Sequence, residues 1–67
     1  MRVYEYVVYY VPKGADIFDA TNIAHARGKV TAVDVNDAYN AALRHFEREY
    51  DETLVVLLNW FIREVRA

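Results

Sequence analysis

Between Val30 and Ala38 the chain changes its periodicity. Val30-Thr31-Ala32-Val33 reads as a strand, Asp34 follows, and from Val35 onward apolar residues recur at helical spacing. Asp34 stands where an N-cap belongs: its carboxylate can accept from the free amides of a first helical turn. Asp37, three residues on, adds favourable charge there and makes a shorter-armed version of the capping box. Ala38, Tyr39, Ala42, Leu43, Phe46 and Tyr50 form an apolar stripe, while Asn36, Asn40, Arg44, Glu47 and Arg48 take the other side. The small residues Ala38, Ala41 and Ala42 suit close approach to a sheet. Asp51-Glu52 opposes the helix dipole, so the helix is predicted to stop near Tyr50.

The segments flanking this junction read as strands. Val3 to Val11 is β-branched and aromatic nearly throughout, and Pro12, which cannot donate to a ladder, closes it with Lys13-Gly14. Gly14 to Asn22 is predicted to be a loop whose Ile17 and Phe18 tuck under the sheet; a rival reading makes Ile17 to Arg27 a short helix ending at Gly28. Ile23 to Val33 is a second strand, with Gly28 expected at a bulge or bend. Leu54 to Ile62 suits either a strand buried on both faces or a second helix; its adjacent valines with Trp60, Phe61 and Ile62 favour the strand. The expectation is one α+β domain over residues 1–67, a three-stranded antiparallel sheet with one helix packed on one face, in the order β-β-α-β.

At 67 residues such a chain buries only about 60% of the surface its unfolded form exposes. It has no cysteine, so neither a disulfide nor a thiolate metal site can reinforce it. Yet 55% of its residues are hydrophobic and 15% aromatic, more apolar surface than one small core consumes. The formal charge of −2 implies no attraction to nucleic acid or anionic membrane. The opening Met1-Arg2-Val3-Tyr4-Glu5 does not resemble a signal peptide, and the longest uncharged run, Thr53 to Ile62, is about half of a membrane span. A soluble, cytoplasmic protein is expected.

Alternation puts Tyr4, Tyr6, Val8 and Tyr10 on one face of the first strand and Val3, Val7, Tyr9 and Val11 on the other, so both faces are apolar. In the last strand it sets Leu54, Val56, Leu58, Trp60 and Ile62 opposite Val55, Leu57 and Phe61. A single helix covers one side of a three-stranded sheet, which leaves the other for a partner protein, either a second copy of the chain or a different target. The tyrosine-rich face is the expected open one, because tyrosine combines apolar area with a hydroxyl that wants a partner. Tyr4, Tyr6, Tyr10 and Trp60 are the candidate partner-binding anchors. The alternative is that the segment from Gly14 to Arg27 folds back over that face.

No constellation carries chemistry. His25 and His45 lie in different elements without a third ligand, so neither a metal nor a cofactor is expected. Glu5, Glu49, Asp51 and Glu52 are acids explicable as solvated edges and helix ends, and one helix on a small sheet encloses no cleft to shift their pKa values; no catalytic residue is assigned and no enzyme is expected. Arg44 and Arg48 share a helix side and read as a solvated face pairing with Glu47. Exposed sheet aromatics make a nucleic-acid-binding module the second reading. Against it stands the scatter of Lys13, Arg27, Lys29, Arg44, Arg48, Arg63 and Arg66 along the chain.

Over Gly28-Lys29-Val30-Thr31-Ala32-Val33-Asp34 and on through Val35-Asn36-Asp37-Ala38-Tyr39-Asn40-Ala41-Ala42, the chain resembles small accessory proteins of phages and mobile elements, some small anti-CRISPR proteins among them. The resemblance implies a non-enzymatic inhibitor or adaptor that covers a host protein's surface in the host cytoplasm. It spans about a quarter of the chain and carries no functional residue across. Some archaeal ribosomal proteins share the pattern but are basic, and this chain is not.

Overall fold

The computed structural model describes residues 1–51 and 53–66. In chain order it contains β1 (Arg2–Pro12), a single 3-10 turn (Ala20–Asn22), β2 (Ala24–Ala32), α1 (Val35–Glu49) and β3 (Val55–Val65). The strands make one antiparallel sheet in the order β2-β1-β3, and α1 packs on one of its faces. Both outer strands run antiparallel to β1 and therefore parallel to each other, so the chain must cross the sheet between them; α1 is that crossing. The ambiguous last segment is a strand because the second edge of β1 needs a ladder partner, which it receives from Val3↔Val65 through Pro12↔Val55.

The helix start follows from local chemistry. Asp34 accepts a hydrogen bond from the Asp37 amide at 2.8 Å, and the Asp37 carboxylate accepts from the Val33 amide at 3.2 Å, one residue before the cap. At the far end the Tyr50 amide donates to the Phe46 carbonyl at 2.8 Å. Fifteen helical residues span about 22 Å, whereas the eleven of β1 extend about 36 Å, so the helix roofs only part of the strand length.

The core gathers Tyr4, Tyr6 and Val8 from β1, Val30 and Ala32 from β2, and Ala38, Ala42 and Phe46 from α1. Trp60 joins it from β3, its ring 5.8 Å from Tyr6, 5.6 Å from Tyr39 and 6.0 Å from Phe46. Tyr10 meets Phe46 and Tyr50 at 5.4 and 5.1 Å, and those two rings stack at 4.6 Å. The tyrosine-rich face, expected to be open, is thus the covered one. Tyr4 and Tyr6 are only 4% and 7% exposed and Tyr10 and Trp60 are half-buried against the same cluster, so these four residues are core rather than surface anchors. The reason lies in β2, whose residues on this side are Ala24, Ala26, Gly28, Val30 and Ala32. Small side chains opposite the large rings let α1, itself lined by Ala38 and Ala42, settle close and leave the rings to fill the space.

Gly28 occupies neither a bulge nor a bend. It sits in unbroken register opposite Tyr6, and a Cβ there would lie 2.5 Å from the Tyr6 hydroxyl oxygen and 2.6 Å from Cζ. The glycine is where the Tyr6 ring passes over the edge strand. The irregularity falls instead on β3: Tyr9 pairs with Asn59 and Tyr10 with Leu57, which leaves Leu58 as an extra residue. That bulge resets the alternation expected for this strand. Val55 and Leu57 share the helix side with Trp60 and Ile62, while Val56 shares the opposite side with Asn59 and Phe61.

The connection from Lys13 to Ile23 is a loop, as expected, but it does not shield its apolar residues. Phe18 is 92% exposed and Ile17 is exposed too, so neither tucks under the sheet. The loop is shaped by its own polar groups: Asp16 accepts from the Phe18 amide at 2.9 Å, Asp19 accepts from the Thr21 hydroxyl and amide at 2.7 and 3.0 Å, and Asn22 donates to the Asp16 carbonyl at 3.0 Å. Gly14 turns the chain with a φ of 88°.

Candidate functional site: the uncovered sheet face

With the even-numbered side chains of β1 under the helix, its odd-numbered ones point away from it, and the two registers extend them into rows across the sheet. Thr31, Val3 and Val65 form the first row; Lys29, Glu5 and Arg63 the second; Arg27, Val7 and Phe61 the third; His25, Tyr9 and Asn59 the fourth. None of the core cluster lies on this side. Val3, Tyr9 and Phe61 remain exposed, Phe61 by 56%. Past the bulge Val56 is exposed as well, and Val11 alone is fully buried.

The middle rows carry the chemistry. Arg63 donates from Nε to the Glu5 carboxylate, which also faces Lys29 across the ladder. Phe61 meets the Tyr9 ring edge-on at 5.9 Å, with interplanar angle 90°, and His25 lies 6.1 Å from Tyr9 on the other side. Glu5, Val7, Arg27, Lys29, Phe61 and Arg63 border an open depression of about 710 Å³. Cations that are scattered in the sequence converge here: Arg27, Lys29 and Arg63 stand against the single carboxylate of Glu5. Of eight lysines and arginines and ten acids in the chain, that leaves five cations against nine acids in the rest of it. The face is therefore positive on a chain that is net negative.

This arrangement holds and presents groups and encloses none. Glu5 is engaged by Arg63, Glu49 is exposed at the helix end, and Glu52 lies outside the described residues. Asp51 accepts from the Thr53 hydroxyl at 2.6 Å and its amide at 2.9 Å, bonds that hold its carboxyl below the usual range and make it a turn former. His25 belongs to the open face and His45 to the exposed side of α1. Among the described residues no three His, Cys, Asp or Glu side chains lie close enough to hold a metal ion, and no helix is long and apolar enough to cross a membrane.

The open face was hidden by a choice the alternation of β1 leaves undecided, since both its faces are apolar. The neighbouring strand does decide it. Along β2, His25, Arg27, Lys29 and Thr31 alternate with Ala26, Gly28, Val30 and Ala32, and only the second set can meet a helix. Once β2 is paired with β1, its polar side names the uncovered one. The chain matches no protein-family model, no curated protein and no solved structure.

Proposed function

We propose that this chain is a non-enzymatic binding protein that engages its partner with the sheet face opposite α1. One observation supports the reading above the rest: the second and third rows put three cations, one tethered carboxylate and a largely exposed phenylalanine around a single open depression on the side of the sheet away from α1. Covering a surface requires a face, whereas catalysis requires a cleft, and the resemblance to small phage accessory proteins that act by contact agrees with this division. Under this reading the chain works in the cytoplasm of the cell that makes it, and its partner, a second copy included, meets the side away from α1, since the helix packs on the tyrosine-rich one.

The test compares affinity-tagged wild type with Phe61→Ser and with Arg44→Glu/Arg48→Glu, a pair on the solvated side of α1, each confirmed as folded by circular dichroism. Material retained from a lysate is analysed for both protein and nucleic acid. A component retained by the wild type and the helix variant but lost by Phe61→Ser is the expected result. Retention indifferent to Phe61, or lost with the helix pair, overturns the proposal.

A further inference from the structure

Resting on that reading, we infer that the partner is a single-stranded nucleic acid, with bases stacked on Phe61 and Tyr9 and phosphates held by Arg27, Lys29 and Arg63. Four observations lead there. The first is sign: the face gathers cations on a chain that is otherwise acidic, which suits a polyanion and disfavours a second copy, whose own Arg27 and Lys29 would oppose them. The second is ring access. Phe61 and Tyr9 lie side by side with edge-to-face geometry, both exposed, in the two rows next to the cations. Ring faces beside a basic track are the arrangement on which bases stack without regard to sequence.

Spacing is the third. Arg27 and Lys29, two positions apart on the same side of β2, stand about 6.6 Å from each other along the strand, a separation comparable to that of neighbouring phosphates in an extended chain. From Glu5 to Tyr9 the rows cover about 13 Å, room for two or three nucleotides. Openness is the fourth. A duplex is read by a helix or a two-stranded ribbon that enters a groove, whereas α1 lies on the opposite side and this face is the broad side of a three-stranded sheet; such an open face suits a strand whose bases are splayed. Glu5 does not repel the ligand outright, because Arg63 engages its carboxylate and Lys29 faces it.

The probe is a fluorescently labelled oligothymidylate or oligouridylate of about twelve nucleotides, with the corresponding duplex, followed by anisotropy. Binding of the single strands in preference to duplex is expected. Two or three phosphate contacts predict about a tenfold loss of affinity between roughly 50 and 200 mM salt. Phe61→Leu, which keeps an apolar side chain but removes the stacking ring, is expected to weaken binding about tenfold or more. Arg27→Glu/Lys29→Glu is expected to abolish it, and Arg44→Glu/Arg48→Glu to leave it unchanged. Thermal melts of each variant exclude unfolding as the cause. Failure of the wild type to bind at the lower salt, equal affinity for duplex, or indifference to Phe61→Leu overturns the inference. If oligonucleotides fail while Phe61→Ser still abolishes retention of a protein from lysate, the nucleic-acid inference falls and the binding face stands; if that retention is also indifferent, both fall.

Discussion

Replacing Gly28 by alanine puts the packing described above to a direct test. The new Cβ would lie 2.5, 2.6 and 2.7 Å from the hydroxyl oxygen, Cζ and Cε1 of Tyr6, about 1 Å inside ordinary carbon contact. The Tyr6 ring cannot simply retreat, because it is almost fully buried with Trp60 beside it at 5.8 Å. Overpacking of this kind costs about 1–3 kcal/mol. Gly28 does not adopt a positive φ, unlike Gly14, so alanine also removes backbone freedom from the unfolded chain, which returns about 0.4–1 kcal/mol. The net expectation is a loss of about 1–2 kcal/mol, or roughly 5–15 °C in melting temperature for a domain of this size. Thermal and urea denaturation followed by circular dichroism measure it. Repeating the substitution in a Tyr6→Leu background isolates the cause: without the ring, Gly28→Ala should be neutral or mildly stabilising. A Gly28→Ala protein as stable as wild type, or a cost that persists without the Tyr6 ring, would refute the account of why this position is glycine.

Two further outcomes follow from the same core and its caps. Asp34→Ala removes the acceptor for the Asp37 amide and should destabilise the fold by about 1 kcal/mol, read as a lower urea midpoint at unchanged slope; an unchanged midpoint would contradict the capping role. Burial, with smaller contributions from Glu49 and Tyr50, raises the Tyr6 phenol above its ordinary 10.0, so the folded state holds that proton more tightly than the unfolded chain. Its contribution to stability is therefore complete below about pH 10 and is lost as pH rises through the folded value. Alkaline titration of the phenolate absorbance should show a late-ionising fraction of the tyrosines, Tyr6 and Tyr10 among them, which Tyr6→Phe diminishes. Tyrosines that all ionise in one reversible phase, with the far-ultraviolet signal intact, would contradict the buried placement.

Much of the architecture was legible because its signals are local. Asp34 and Asp37 mark the helix start by what their carboxylates can reach within one turn, and the tract from Val3 to Val11 is a strand because side chains branched at Cβ suit a pleated backbone. The binding face was less legible. Glu5 and Arg63 are ion-pair partners 58 positions apart, and nothing in the neighbourhood of either announces the other. The expectation of scattered cations failed for this reason: Arg27, Lys29 and Arg63 become one cluster only when both edges of β1 are paired.

The sequence by itself determined the kinds and order of the elements, the helix cap, and a shortage of cover, since one amphipathic helix cannot roof both sides of a sheet that is apolar on each. Periodicity and capping act between residues a few positions apart, so the linear pattern contains them. Only the tertiary structure decided which side receives the helix, because that depends on small residues of β2 lying opposite large rings of β1. It also decided which residues of β3 face out, because the extra residue at Leu58 reverses the parity on either side of it. Register and facing are relations between distant segments, fixed by the packing of one against another.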